Sequence, residues 1–166
     1  DHIYSHQETG LLITYNRDKD VNRYCKNNSI EWTENINNGV LRGLLNREDW
    51  FEHWDRYMHD EQFCFEPKDN QFVSIEEIAQ ISADFNLTDL KTTTSLIFQK
   101  GGTTTAWKYA NSFFKERHKE YMFNISKPEK SRTSSSRISP YIAWGNVSIR
   151  AIFQKAVALK SEKKND

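Results

Sequence analysis

A strand, a helix and a second strand open this chain at the spacing of one crossover unit, and no other feature limits the fold as tightly. His2 to Ser5 carries Ile3 and Tyr4 as a short buried strand, and Gly10 ends it. From Tyr15 to Cys25 the apolar residues Val21, Tyr24 and Cys25 stand three and four apart, while Arg17, Asp18, Lys19 and Asp20 fill the polar side. Asn27 and Asn28 stop that helix, and Ile30 to Thr33 reads as the second strand. Two strands joined by a helix pair in parallel, and a parallel sheet is stable only when both faces are covered. One helix cannot do this, so the pattern predicts an incomplete α/β piece of a larger layer.

Between Met58 and Thr94 the composition loosens into a connector with one helix, and the stretch before it leads there. Asn37 to Arg42 contains a turn, and Leu44 to Trp54 sets Leu44, Leu45, Trp50, Phe51 and Trp54 among charges. Trp50 and Trp54, four apart, are expected to pack on a domain surface and not to carry electrons. Pro67 with residues 68–71 forms a predicted loop; Ser74 to Glu77 has the form of a helix start, followed by Ile75, Ile78, Ala79 and Ile81 on a short helix. His53, His59 and Cys64 lack the spacing of a zinc site, and Cys25 and Cys64 lack that of a disulfide, so no metal and reduced intracellular thiols are expected. No apolar run spans a membrane and no leader pattern is present, which predicts a soluble, cytoplasmic protein. The formal charge of zero hides a division: residues 1–99 hold 9 Lys+Arg against 18 Asp+Glu, and residues 100–166 hold 14 against 5. Anion-binding potential lies in the second part.

That part begins with Gly101, Gly102 and Thr103 to Thr105, which cap a predicted long helix. Trp107, Ala110, Phe114 and Tyr121 share one stripe of it, Ala106, Phe113 and Arg117 lie beside the stripe, and Lys115, Glu116, Lys119 and Glu120 face away. The chemistry gathers in the run SSSRISPYIAWGNVSIR, from Ser134 to Arg150. Ser139 fits an N-cap, Pro140 the first helical position and Gly145 the stop of a short helix. The hydroxyls of Ser135, Ser136 and Ser139 and the guanidinium of Arg137 would then face a phosphate or pyrophosphate. The plainer reading is an ordinary serine-rich turn. Asn146 to Ser148 caps a second helix bearing Ile149, Ile152, Phe153, Ala156 and Val157 at helical spacing.

The run SSRISPYIAWGNVSIR resembles the flavin-phosphate segment of the cryptochrome and DNA photolyase family, T-S-R-L-S-P-Y-L, two residues, then G-x-L-S-x-R. HIYSHQETG, TYNRDKDV, IEW and NNGVLRGLLNREDW resemble the end of that family's N-terminal α/β domain, with Glu8, Arg17 and Asp18 at motif positions. Taken as residues alone, those three form a structural ion-pair network. The glycine pair, the aromatic helix and Tyr121 seven residues before Pro128 are similar to the first helix of the family's flavin domain. The resemblance implies residues 1–58 from the α/β domain, 59–94 as interdomain connector, and 95–166 as the start of an all-α flavin domain.

It also implies FAD held by Tyr121, Ser135, Ser136, Arg137, Ile138 (through its backbone) and Ser139, with no catalytic residue in this stretch. An antenna chromophore, folate or deazaflavin, stays open. The implied activity is blue-light repair of pyrimidine dimers in UV-damaged DNA by a protein monomeric when intact, of which this chain is a fragment inactive by itself. Two alternatives remain: a cryptochrome photoreceptor without repair, or a phosphate-binding or interaction module unrelated to light. Two departures bear on DNA contacts. The stretch from Pro128 to Ser135 reads as a lengthened basic loop with Lys127, Lys130 and Arg132 about it, and Ile125 stands where the family often has arginine. Ser135 in place of threonine keeps the hydroxyl.

Overall fold

The computed structural model describes residues 1–63, 66, 72–82 and 97–165; the predicted loop at residues 67–71 and Cys64 lie outside the described residues. The chain divides into two compact units, Asp1–Glu61 with Gly101–Asp166, and Gln62–Lys100.

In the first unit β1 (His2–His6) and β2 (Glu31–Asn35) pair in parallel, with His2 opposite Glu31 and His6 opposite Asn35. Helix α1 (Leu12–Asn27) makes the crossover. It starts three residues before the predicted segment, with the Tyr15 amide donating to the Leu11 carbonyl at 3.0 Å. Leu12 and Ile13 are exposed, so apolar periodicity could not mark that first turn. Cys25 is buried on the inner side, and its carbonyl takes the Ile30 amide at 2.9 Å as the chain turns into β2. The buried strand expected from Ile3 and Tyr4 is not found: on β1 both are exposed, as a two-stranded sheet with one crossover helix leaves apolar positions uncovered. The predicted turn after β2 is built around Gly39, at φ 71°: a Cβ there would meet the Tyr57 ring at 2.9 Å, which glycine alone avoids.

Helix α2 (Trp50–His59) carries the two tryptophans, stacked with ring centroids 6.1 Å apart. Helices α4 (Thr103–Lys115), α5 (Tyr121–Asn124), α6 (Pro128–Ser134), α7 (Ser139–Ala143) and α8 (Ile149–Asn165) complete the unit. Its helical core is Ala106, Ala110, Tyr141, Val147 and Ile152, surrounded by Trp107, Tyr109, Phe114, Ile138 and Ile142. Two alanines on α4 let α7 and α8 approach closely enough to bury the Tyr141 ring. The Gly102 amide donates to Asn146 Oδ1 at 3.0 Å, fixing the start of α4 to the turn before α8.

Three sequence expectations change here. The long helix does not run through to Tyr121: it stops at Glu116, with φ −136° and ψ −54°, and a 3-10 turn over Arg117–Glu120 follows. Arg117 and His118 turn back onto the carbonyls of Tyr109 and Phe113, ending the ladder in the way basic side chains commonly do. The predicted basic loop is α6, started by Pro128 at its first position, with Ser131, Thr133 and Ser134 hydroxyls donating to backbone carbonyls one turn earlier. Ser139 is the first residue of α7 and not its cap: the Ile138 carbonyl accepts from the amides of Tyr141 and Ile142 at 3.0 and 3.1 Å, and Pro140 is second. Arg137, at φ 57°, turns the chain one residue early.

The second unit, taken by itself, holds α3 (Ile75–Ser82). It starts with a reciprocal cap in which the Ser74 amide donates to Glu77 Oε2 at 2.8 Å and the Glu77 amide donates to Ser74 Oγ at 3.1 Å.

Candidate functional site

Where α4 ends, the 3-10 turn, α5 and the loop from α6 to α7 fold around one another, and α8 passes beneath them. A cavity of about 360 Å³ opens there, lined by Phe113, Phe114, Tyr121, Ser135, Ser136 and Ile138 and floored by Ala110, Ile152, Phe153 and Ala156. Four of the six sequence-predicted contacts, Tyr121, Ser135, Ser136 and Ile138, therefore meet on one concavity. Tyr121 is held at its edge by a perpendicular contact with Phe113, centroids 5.8 Å apart. Ile138 lines the cavity and packs against the core, and its carbonyl is occupied by α7.

Arg137 and Ser139 are not among the lining residues. Arg137 lies in the left-handed region, with a guanidinium nitrogen 3.5 Å from the Arg132 carbonyl. Ser139 is exposed at the start of α7. Ser134 is buried, its hydroxyl donating to the Lys130 carbonyl at 2.9 Å.

The residue that sequence reasoning left without a role is Arg117. Its Nη2 donates to the Tyr109 carbonyl at 2.6 Å and to the Ser136 carbonyl at 3.3 Å, and its Nη1 donates to the Ser135 carbonyl. Nε and Nη2 reach Ser112 Oγ at 3.2 and 3.0 Å. The guanidinium also lies 5.8 Å from the Phe113 ring and 5.9 Å from that of Tyr109. Burial lowers its pKa, Tyr109 opposes this and the charge of Arg137 adds to it. No side-chain pattern marks this role in the sequence, because the acceptors of Arg117 are mostly backbone carbonyls.

A second polar cluster lies beside the sheet. Asp18, buried, accepts from Arg42 at 2.7 Å and from Arg17 at 2.9 Å. Arg42 also pairs with Glu34 at 3.0 Å and donates to the Glu8 carbonyl at 3.0 Å, while Glu8 lies 3.9 Å from Arg17. Hydrogen bonding to Glu34 raises the Arg42 pKa, against the lowering effect of burial. Glu8, Arg17 and Asp18 thus form the structural network that their charges alone predict, with Arg42 as its centre. Among the described residues no three His, Cys, Asp or Glu side chains gather in a way that could hold a metal ion. Nor, among the described residues, is any helix long and apolar enough to cross a membrane. Comparisons with protein-family models, with curated proteins and with solved structures find no match for this chain.

Proposed function

We propose that this chain belongs to a blue-light flavoprotein that repairs pyrimidine dimers in UV-damaged DNA, and that it supplies the wall of the site for FAD. The observation that carries the reading is the convergence of Tyr121, Ser135, Ser136 and Ile138 on one cavity. The volume falls at the small end of the range for cofactor pockets, which suits part of a dinucleotide and not its whole. The donor set suits it as well. Ser135 and Ser136 offer hydroxyl donors to a phosphate oxygen, Arg117 and Arg137 make the surroundings cationic, and Phe113, Phe114, Tyr121 and Phe153 give the apolar surface that a flat ring system needs.

When bound, FAD absorbs the light and supplies the electron that splits the dimer. The polypeptide binds the cofactor's anionic linker, keeps water from the ring through its aromatic wall and turns a basic surface toward nucleic acid. That surface draws on the excess of Lys and Arg after residue 99, which attracts a phosphate backbone irrespective of sequence.

The test is to express the complete reading frame, record the near-ultraviolet and blue absorption of the purified protein, and assay light-dependent repair of dimer-containing DNA. Flavin bands together with repair are the expected result. Flavin without repair would point to a photoreceptor, and protein that takes up no flavin would end the proposal.

A further inference from the structure

We propose that Arg117 is a positioning residue for the anion-binding wall: its guanidinium ties the Ser135–Ser136 segment to the end of α4 and so presets both hydroxyls. This rests on the flavin-site reading above.

A guanidinium offers five N–H groups in a fixed plane and can span acceptors that no other side chain reaches together. Arg117 uses that span across two parts of the chain. Its acceptors on α4 are the Tyr109 carbonyl and Ser112 Oγ, eight and five residues back. Those on the cavity wall are the Ser135 and Ser136 carbonyls, eighteen and nineteen residues ahead. The segment between α6 and α7 is irregular, so hydrogen bonds of this kind decide where it rests. In a trans peptide the carbonyl and the following N–H point in opposite directions. With the carbonyls of Ser135 and Ser136 both turned to Arg117, the amides of Ser136 and Arg137 face away from it.

The charge balance leads to the same conclusion. Among the described residues no carboxylate forms an ion pair with Arg117. Its acceptors are neutral, and its pKa is lowered by partial burial and then by the like charge of Arg137, with Tyr109 opposing. A positive charge held by carbonyls, a hydroxyl and two ring faces, behind two serines that line a cavity, favours an anion in that cavity.

The experiment uses the full chain with Arg117→Gln and Arg117→Lys. Each variant is titrated with FAD and with riboflavin, which has the same ring but no phosphate, and its thermal unfolding is recorded without flavin. A positioning role predicts that Arg117→Gln weakens FAD by about tenfold or more, the size expected for lost charge-assisted hydrogen bonding, and riboflavin far less. Arg117→Lys, which keeps the charge but not the planar fork, falls between. Equal weakening of both flavins would reduce Arg117 to a general support of the fold and overturn the proposal, as would unchanged FAD affinity. If Arg117→Gln does not fold, the FAD-to-riboflavin ratio of Arg117→Lys decides by the same criterion. Wild-type protein that binds neither flavin would remove the site itself, an outcome distinct from a normal wild type with unaffected variants.

Discussion

Gly145 and Arg137 stand on either side of α7 at positive φ, 66° and 57°, for different reasons. Gly145 closes the helix: its amide donates to the Ile142 carbonyl at 3.1 Å, and the next amide, of Asn146, donates to the Tyr141 carbonyl at 2.7 Å, a Schellman ending. A Cβ at Gly145 would meet nothing within 4 Å, so a side chain there is penalised by backbone conformation alone. Gly145→Ala is therefore expected to lower stability by about 1–2 kcal/mol, measured by urea unfolding with an unchanged slope. A loss of 4 kcal/mol or more, against that same ~1–2 kcal/mol scale, would mean that the turn packs against something. Arg137 has no such freedom from a Cβ. A non-glycine residue in this conformation persists where its surroundings outweigh the strain, and here it lies in the turn that brings Ser135 and Ser136 to the cavity.

At the level of elements, α3 shows how a few polar atoms start a helix whose apolar residues stay exposed. Ile75, Ile78 and Ile81 are all exposed, so within its own unit the helix leans on the reciprocal Ser74–Glu77 cap. The Ser74 amide, and then its hydroxyl, hold the Glu77 carboxyl below the ordinary value of 4.5. A lowered folded-state pKa contributes stability that is fully present above the unfolded value and is lost as pH falls through the folded one. Amide exchange at Ile78, which donates to the Ser74 carbonyl at 3.0 Å, should accordingly quicken relative to its intrinsic rate on acidification below about pH 4.5, and that ratio should stay level above it. Ser74→Ala should quicken it at every pH, by about 1 kcal/mol of local stability; exchange indifferent to both changes would show that the cap does not hold the helix.

The same polar chemistry explains what the sequence made legible. The crossover of β1, α1 and β2 was readable from period and punctuation, and the cap of α3 from its four residues. The break at Glu116 was not, because Tyr121 continues the stripe of Trp107, Ala110 and Phe114 in phase and gives no sign that Arg117 turns back. Helix α6 was hidden for the opposite reason: it has no apolar stripe, and its serines and threonine satisfy carbonyls that a loop would leave to water. Of the serines that the family resemblance implied at the site, Ser135 and Ser136 line the cavity, but the one-residue shift of α7 left Ser139 outside. Arg117 acts through backbone carbonyls, which carry no side-chain signature.

Across the first unit as a whole, its early and late residues are held together by α2 on α8. Trp54 meets Phe153 edge-on at 5.2 Å and His59 meets the same ring at 5.1 Å. Gln154 donates to the carbonyls of Met58 and Asp60 at 3.0 and 2.8 Å, Arg150 donates to the Glu61 carbonyl at 3.0 Å, and its guanidinium lies 4.1 Å from the Tyr57 ring. These contacts join residues roughly ninety positions apart, so their loop-closure cost must be met by burial on both helices. Met58, 2% exposed, is the residue of α2 most fully withdrawn from water. Met58→Ala should cost about 2–5 kcal/mol. Because α8 also carries Ile152, Phe153 and Ala156 of the cavity floor, the loss should not stay in α2: amide exchange ought to rise in α8 as well, and affinity at the proposed flavin site ought to fall although Met58 is not among the residues that line the cavity. Exchange that rises in α2 while α8 and flavin affinity are unchanged would mean that the two helices unfold independently, and that the site draws its rigidity from α4 and α7 alone.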